Sequence, residues 1–313
     1  YPCFRIPALK RAVASGERAT AAAPLLAFAE ARGGSTGSCG DHGDVRVVVR
    51  VSIDSTGTAW GPIQVVASET GHTIGNPSPV VDPSSGRVYV HFARDNYDAF
   101  VTHSDDYGVT WSDRIALDAT VKVPGSGWYG SGVGGGIALP VESARTAPEL
   151  LILAEERVGP AFNSVPVRST DGGATWIRGS FLNCPDNHSH GLGEPSVALL
   201  PGSNNHLVMS GRGAASPYIS WSQSSDGGQT WSASSPIEAI SSPGCQSPIV
   251  GIHTLPGSAG VGAAITSPIG PSRTHLGVFA ASAAANFTNW HCVKLLSTGY
   301  AGYSSLLRDD VTG

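Results

Sequence analysis

The sequence predicts an all-β fold, and three observations indicate it. Short runs rich in β-branched residues recur along the 313 residues, and most are bounded by glycine, proline, asparagine or aspartate. No long stretch keeps the 3.6-residue apolar period of a helix, and the nearest one, Ala281–Ala285, is too short. An eight-residue pattern with a central aspartate also repeats at nearly even intervals.

The predicted strands are the runs whose side chains fit a pleated, half-buried surface. In chain order, the clearest are Val45–Val51, Val88–Phe92, Leu150–Ala154, His206–Ser210, Ile249–Thr254 and His275–Ala280. The 40 glycines and 22 prolines supply the turn residues between them.

The repeated pattern is S-x-D-x-G-x-T-W. It occurs at 104–111, 169–176 and 224–231, and a copy from Ser52 to Trp60 is one residue longer. We expect each aspartate to accept hydrogen bonds from turn amides, each glycine to adopt positive φ, and each tryptophan to pack under the turn. These turns are therefore predicted to be scaffold, far from any chemistry.

The spacing of the turns predicts the architecture. The aspartates Asp54, Asp106, Asp171 and Asp226 follow one another at intervals of 52, 65 and 55 residues, and a weaker copy lies at Asn286–Trp290. One turn in each interval of this length indicates one four-stranded sheet per repeat, which is the blade of a β-propeller. The sequence thus predicts a six-bladed β-propeller in a single domain spanning residues 1–313.

The composition excludes several classes of function. Charged residues make up 14% of the chain and hydrophobic residues 41%, which is too apolar for a disordered protein. The net charge is −5 and no basic cluster occurs, which argues against a nucleic-acid partner. No apolar run reaches eighteen residues, so we expect no membrane span.

The cysteines and histidines do not form a metal motif. The five cysteines contain no C-x-x-C pair, and their pairing is left open. His188 and His190 have no third ligand nearby, so we expect no metal and no cofactor.

Export is favoured over an intracellular location. Asn187-His188-Ser189 and Asn286-Phe287-Thr288 are acceptor sequences for N-glycosylation, which fit a secreted chain. The start, Tyr1-Pro2-Cys3, carries no basic and apolar leader, so we expect that any signal peptide has been removed or was never there.

An ordered set of motifs resembles the sialidases. The chain opens with Phe4-Arg5-Ile6-Pro7, in which an arginine stands in an apolar strand and needs an anionic partner. Further motifs follow in the family's order, namely A-F-A-E-x-R at 27–32, D-x-G-D at 41–44, N-P-x-P at 76–79, G-E-P at 193–195, S-G-R at 210–212, G-C-Q-S at 244–247, S-R at 272–273 and G-Y-S-S-L at 302–306. The resemblance covers the chain from Phe4 to Leu306. It implies a glycoside hydrolase that acts on sialylated oligosaccharides, glycoproteins and glycolipids.

The resemblance implies a role for each of six residues. Arg5, Arg212 and Arg273 would bind the substrate carboxylate, because guanidinium groups form paired charge-assisted hydrogen bonds. Asp41 would be the general acid and base, with Asp44 as a local alternative. Tyr303 would be the nucleophile and Glu194 its base. Tyr300 is a rival for Tyr303, although only Tyr303 directly precedes the expected serine.

Other residues match positions around the sugar ring. The resemblance implies that Glu30, Arg32, Asn76 and Gln246 contact polar groups of the substrate. The charged triplet Glu155, Glu156 and Arg157 is expected near the glycerol and N-acyl groups, with a solvated strand end as the alternative interpretation.

The main hypothesis is a retaining exo-α-sialidase that hydrolyses terminal α-linked sialic acids through a covalent tyrosyl intermediate. A KDN-preferring enzyme and an intramolecular trans-sialidase are alternatives of the same class. A non-catalytic, glycan-binding propeller is another alternative, but it would not need Asp41, Glu194, Tyr303 and three arginines together.

Two departures from the family pattern stand out. The segment between Phe4 and Ala27 and the loop at Gly33–Gly40 look long, so the pocket rim is expected to differ. Sialidases continue beyond the point where this chain stops, ten residues after Tyr303, so the last blade is expected to be short or truncated at Gly313.

Overall fold

A computed structural model describes most of the chain. The described ranges are 1–13, 23–33, 39–141, 147–159, 161–180, 192–213, 216–241, 243–253, 260–270 and 272–308. Within them, the strands form five antiparallel sheets arranged as blades of a β-propeller. The predicted all-β propeller is confirmed, whereas the described ranges contain five blades and the sequence predicts six.

The five sheets follow one another along the chain. The first sheet contains β1 (Cys3–Arg11), β2 (Leu25–Arg32), β3 (Val45–Val51) and β4 (Gln64–Ala67), and the second contains β5 (Ile74–Val81), β6 (Val88–Arg94), β7 (Asp98–Ser104) and β8 (Ile115–Ala116). The third sheet contains β9 (Trp128–Ser131), β10 (Ile137–Leu139), β11 (Glu149–Val158), β12 (Ala161–Ser169) and β13 (Ile177–Arg178). The fourth sheet contains β14 (Leu192–Leu199), β15 (Leu207–Gly213), β16 (Tyr218–Ser224) and β17 (Ser235–Ser241), and the fifth contains β18 (Ile249–Ile252), β19 (Gly262–Pro268), β20 (Thr274–Ser282) and β21 (His291–Tyr300). A short helix α1 (Asp118–Val121) and a 3-10 helix (Ala283–Ala285) complete the described elements.

Every run that the sequence predicts as a strand overlaps one in the structure. These strands are β3, β6, β11, β15, β18 and β20, and the predicted and observed bounds of β3 are identical. Thr254, at the end of one prediction, lies outside the described residues. Helix α1 was not predicted, because four residues are too few to show a helical period.

Four apolar clusters fill the interfaces between successive sheets. Phe28 of the first sheet and Val90 of the second belong to one of them, and both side chains are almost completely buried. Burying an apolar side chain of this size contributes about 1.5–3 kcal/mol. Among the described residues, no comparable cluster joins the fifth sheet to the first.

The segment after β21 lies between the fifth sheet and the first. The Leu9 N–H of β1 donates to the Ser305 hydroxyl over 2.9 Å. On the other side, the hydroxyls of Ser304 and Thr266 of β19 lie 2.8 Å apart. Residues 301–308 therefore connect the two ends of the row of sheets.

The repeated aspartate turns have the predicted construction. Asp171 accepts a hydrogen bond from the Thr175 amide over 3.0 Å, and the indole N–H of Trp176 donates to the Gly173 carbonyl over 3.1 Å. Gly173 has a φ of 86°. Each turn joins the last two strands of its sheet, and so does the weaker copy at Asn286–Trp290. Because neighbouring strands are antiparallel, these turns lie at the opposite end of the sheets from the start of each first strand.

The strands β1, β5 and β14, each the first strand of its sheet, contain the same bulge. Ile6, Asn76 and Glu194 have φ values of 52°, 56° and 49°, each precedes a proline, and the strand register shifts at each one. Such backbone conformations are uncommon for residues other than glycine, so they need support from their surroundings. The repeated bulge places one side chain per sheet at the same end of the propeller.

Candidate active site

A cavity of about 340 Å³ lies at the end of the propeller where the first strand of each sheet begins and the second strand ends. Nine of the ten predicted site residues line it, namely Arg5, Glu30, Arg32, Asp41, Asn76, Glu194, Arg212, Arg273 and Tyr303. They come from four of the five sheets and from the segment after β21, so residues up to 298 positions apart in sequence meet at one place.

Tyr303 and Glu194 form a hydrogen-bonded pair in the cavity. The Tyr303 hydroxyl donates to Oε1 of Glu194. Burial raises the pKa of Tyr303, and the negative charge of Glu194 raises it further. Burial also raises the pKa of Glu194, against the lowering effects of the Tyr303 hydrogen bond and of Arg212. The tyrosine therefore keeps its proton at rest, beside a carboxylate that is a stronger base than an ordinary glutamate.

Three guanidinium groups surround this pair. The guanidinium carbons of Arg5 and Arg273 lie 5.2 and 5.5 Å from the centre of the Tyr303 ring. Nη1 of Arg212 lies 3.9 Å from Oε2 of Glu194. The structure thus brings together the three arginines that the family resemblance implies, although β1, β15 and the residue before β20 supply them.

Gly244 keeps two of these arginines in place. Its carbonyl oxygen accepts a hydrogen bond from Nη2 of Arg273 over 2.9 Å. It has a φ of 73°, and a Cβ atom there would lie 3.2 Å from Nη2 of Arg212. Glycine adopts this φ without steric cost, which accounts for the glycine of the G-C-Q-S motif.

Asp41 lies at the mouth of the cavity between two arginines. Its Oδ1 is 2.5 Å from Nη1 of Arg32 and 3.0 Å from Nη1 of Arg5. Partial burial tends to raise the pKa of Asp41, but the hydrogen bond and charge of Arg32, with the charge of Arg5, hold it below its usual value. Asp44, the alternative acid, does not line the cavity, and its carboxylate accepts the Gly71 N–H over 3.2 Å.

Glu30 is occupied by protein groups. Its Oε2 accepts two hydrogen bonds from Arg32, over 2.9 and 2.5 Å, and its Oε1 accepts the Asn76 N–H over 2.8 Å. The Glu30 side chain is almost completely buried. It thereby fixes Arg32 and the bulge at Asn76, a structural role that the motif alone did not indicate.

The charged triplet of β11 is divided by the pleat of the strand, which alternates side chains between two faces. Glu155 lines an adjoining cavity of about 340 Å³, and its Oε2 accepts the Glu194 N–H over 3.0 Å. Glu156 points the other way, where Oε1 accepts the Val123 N–H over 2.8 Å. The Arg157 guanidinium carbon lies 5.7 Å from the Phe162 ring centre.

Glu155 supports the bulge that carries Glu194. Its hydrogen bond reaches the one backbone N–H of the positive-φ residue, just as Glu30 does for Asn76. Burial raises the pKa of Glu155 to about 7, against the lowering effect of this hydrogen bond.

Several residues of the site have no clear sequence pattern. The rings of Trp128 and Phe162 lie 5.4 Å apart, and both line the adjoining cavity. Asn96 accepts a hydrogen bond from the Asn76 amide over 2.7 Å. A disulfide joins Cys3 to Cys39, a pairing that the sequence left open. These contacts join segments far apart in the chain, which a sequence pattern does not show.

The remaining predicted residues lie elsewhere. Gln246 is completely buried and is not among the residues that line the cavity. Tyr300 is 77% exposed and lines a neighbouring groove. His188, His190 and the first glycosylation sequence lie outside the described residues.

No group of three or more histidine, cysteine, aspartate or glutamate side chains in the described ranges is arranged to bind a metal ion. No helix in those ranges has both the length and the apolar character needed to cross a membrane.

The chain is similar to sialidases in sequence. It is 26% identical to sialidase-2 of Rattus norvegicus over 313 residues, which covers 90% of this chain and 80% of the rat protein. It spans about half the length, or less, of several bacterial and fungal sialidases that it also matches.

Solved structures of low sequence identity share the fold. The Hadza microbial sialidase Hz136 has a TM-score of 0.76 at 19% identity, with 96% of this chain and 60% of that chain covered. The intramolecular trans-sialidase from Ruminococcus gnavus, in complex with oseltamivir carboxylate, has a TM-score of 0.73 at 16% identity, with 97% and 86% covered. At these identities the likeness shows the fold alone.

The resemblance to sialidases with repeated aspartate turns is confirmed by these relatives. The model of the BNR repeat-like domain matches residues 23–312, which is most of the chain. This protein therefore belongs to the BNR repeat-like domain family.

Proposed function

We propose that this protein is a retaining exo-α-sialidase, a glycoside hydrolase that releases terminal α-linked sialic acids from glycans. The observation that carries the proposal is the hydrogen bond from Tyr303 to Glu194 amid three arginines. Related proteins named sialidases support it. The expected substrates are sialylated oligosaccharides, glycoproteins and glycolipids.

The arginines suit a substrate that carries a carboxylate on its reacting carbon. Sialic acids are 2-keto acids, so the carboxylate is attached to the anomeric carbon itself. Arg5, Arg212 and Arg273 would bind this carboxylate through charge-assisted hydrogen bonds. The bound carboxylate places the anomeric carbon beside the Tyr303 hydroxyl.

A tyrosine nucleophile suits this electrostatic setting. Most retaining glycosidases use a carboxylate, and sialidases are known to depart from this by using tyrosine. A neutral phenol is not repelled by the substrate carboxylate. In the first step the Tyr303 oxygen bonds to the anomeric carbon, its proton passes to Oε1 of Glu194, and the bond to the leaving oxygen breaks.

Asp41 is the proposed general acid of this step. It would donate a proton to the leaving oxygen and later remove one from the water that releases sialic acid. Asp41 is an anionic partner of Arg5 in the structure. When the substrate carboxylate pairs with Arg5, it offsets part of the positive charge that lowers the pKa of Asp41. The pKa of Asp41 should then rise, which favours its protonated form.

A sixth blade is also part of the proposal. Residues 303–308 occupy the position of a first strand between β18 and β1, which the contacts of Ser304 and Ser305 support. Gly302-Tyr303 corresponds to Gly75-Asn76 and Gly193-Glu194 at the starts of β5 and β14. We infer that the blades together form a single catalytic domain.

We place the protein outside the cell. The Cys3–Cys39 disulfide supports this location, because disulfides persist mainly in oxidising compartments. Mass spectrometry of the native chain, isolated from its natural source and digested without reduction, tests it. A reduced pair in freshly isolated protein would contradict secretion.

The test of activity is release of 4-methylumbelliferone from its α-sialoside, with Tyr303→Phe as the control. Turnover by the wild type, lost in the variant, is the expected result. Glycan binding without turnover would favour a non-catalytic propeller instead. NMR of the products from α-sialosides and α-KDN glycosides would distinguish hydrolysis of either sugar from intramolecular transfer.

A further inference from the structure

We infer that the Cys3–Cys39 disulfide is a positioning element for Asp41, and that it fixes the loop of the proposed acid against the strand that carries Arg5. This inference rests on the proposed sialidase function. Neither cysteine belongs to the motifs that the sialidase resemblance uses.

The disulfide and the ion pair join the same two segments. Cys3 and Arg5 lie two residues apart on β1, and Cys39 and Asp41 lie two residues apart after β2. The Cα atoms of the two cysteines are 5.6 Å apart, and Nη1 of Arg5 lies 3.0 Å from Oδ1 of Asp41. The covalent bond therefore sets the distance across which Asp41 meets Arg5.

The other attachments of this loop are hydrogen bonds and ion pairs, none of them covalent. Residues 39–44 contain no strand, and the Asp41 side chain is 68% exposed. Arg32 donates to the carbonyl oxygens of Cys39 and Gly40 over 2.9 and 3.1 Å. Asp41 also pairs with Arg32, whose own side chain is buried, and with Arg5. The disulfide is thus the one covalent restraint on the described part of this loop.

Loss of the restraint should impair proton transfer more than the rest of the reaction. A general acid must lie within hydrogen-bond reach of the leaving oxygen. A sugar alcohol needs that proton to depart, whereas 4-methylumbelliferone departs readily as an anion. A misplaced Asp41 should therefore slow cleavage of natural glycans and leave the aryl sialoside nearly unaffected.

The experiment compares kcat/KM on sialyllactose and on 4-methylumbelliferyl sialoside. For Cys3→Ala/Cys39→Ala we expect a loss of about tenfold or more on sialyllactose and at most about twofold on the aryl substrate, part of the 10²–10⁴-fold that general acid catalysis contributes. Asp41→Ala should show the same split more strongly. Cys292→Ala removes an exposed free thiol and should change neither.

A second measurement uses the native chain and does not depend on activity. Dithiothreitol supplies two electrons and two protons, which break the S–S bond into two thiols, and it becomes a cyclic disulfide. After reduction, amide hydrogen exchange at residues 39–44 should accelerate, including the Gly43 N–H that donates to Thr73. Exchange in β3 should stay unchanged.

Each negative result has a distinct meaning. Equal losses on both substrates, or no loss on either, would overturn the positioning role while the sialidase function stands. A wild type that turns over neither substrate would refute the proposed function. In that case unchanged exchange at residues 39–44 after reduction would still overturn the claim that the disulfide fixes this loop.

Discussion

Tyr303 and Tyr300 differ in surroundings although they are three residues apart. Tyr303 lies in the cavity against Glu194, whereas Tyr300 is largely exposed on a neighbouring groove. We expect a 3-fluorosialosyl fluoride probe to label Tyr303, because the fluorine slows breakdown of the tyrosyl intermediate. Tyr303→Phe should abolish labelling and lower turnover by several orders of magnitude, and Tyr300→Phe should change both only modestly. Peptide mapping that finds the adduct on Tyr300 or Glu194 would refute the assignment.

Glu155 is a positioning residue whose effect is measurable through pH. It holds the positive-φ backbone at Glu194, and burial raises its pKa from the ordinary glutamate value of 4.5 to about 7. The folded protein thus binds a proton that the unfolded chain releases at lower pH. The resulting stability is fully present below pH 4.5 and is lost as the pH rises through about 7.

Glu155→Gln keeps an oxygen that accepts the Glu194 N–H but cannot titrate. Relative to this variant, the wild type should lose thermal stability between about pH 5 and pH 8. Glu155→Ala should lower kcat/KM more than Glu155→Gln, since it removes the acceptor as well. Parallel melting curves of wild type and Glu155→Gln across this range would show that Glu155 does not titrate there.

At the scale of the element, the aspartate turns should contribute to stability and not to catalysis. Asp171 accepts hydrogen bonds from Ser169 and from the amide and hydroxyl of Thr175, at the end of the sheet remote from the cavity. Asp171→Ala should lower the free energy of unfolding by about 1–3 kcal/mol, because several donors lose their acceptor. Denaturant titration measures this, and kcat/KM at a temperature where the variant is folded should stay near the wild-type value. A large loss of activity in the folded variant would contradict a purely structural role.

These turns were predictable because their contacts are local. Aspartate, glycine, threonine and tryptophan of each copy lie within eight residues, so each copy contains the donors to its own aspartate. The bulges at Ile6, Asn76 and Glu194 were not predicted, although each is marked by a following proline. Their supporting carboxylates, Glu30 and Glu155, come from the preceding sheet and are distant in sequence.

At the scale of the whole molecule, the contacts of residues 301–308 with β1 and β19 connect the fifth sheet to the first. Ser305→Ala removes the acceptor for the Leu9 N–H, and we expect faster hydrogen exchange at Leu9 and lower thermal stability. Turnover should fall as well, because Tyr303 is in the same short segment. Ser203→Ala, in a surface turn of the fourth sheet, is the control and should leave the exchange of Leu9 unchanged. Unchanged exchange at Leu9 in Ser305→Ala would exclude this connection.

The sequence predicted the propeller and most of the cavity, but not its internal contacts. Repeats and ordered motifs indicate which residues meet, so nine of ten predicted side chains line one cavity. They do not show whether a polar side chain faces a ligand or another residue. Glu30 accepts the Asn76 N–H and Gln246 is completely buried, and both facts depend on packing between distant segments.

The circular order of the sheets has a consequence for biosynthesis. Arg5 is near the start of the chain, and Tyr303 comes after all five sheets described here. Arg5 therefore emerges from the ribosome long before Tyr303 does. The sheets can fold one after another as they emerge, since each packs mainly on its neighbour, but the cavity stays without its tyrosine until residue 303 has emerged. Catalytic competence should thus arise only after Tyr303 has been synthesised, and partial chains that end before Tyr303 should be inert.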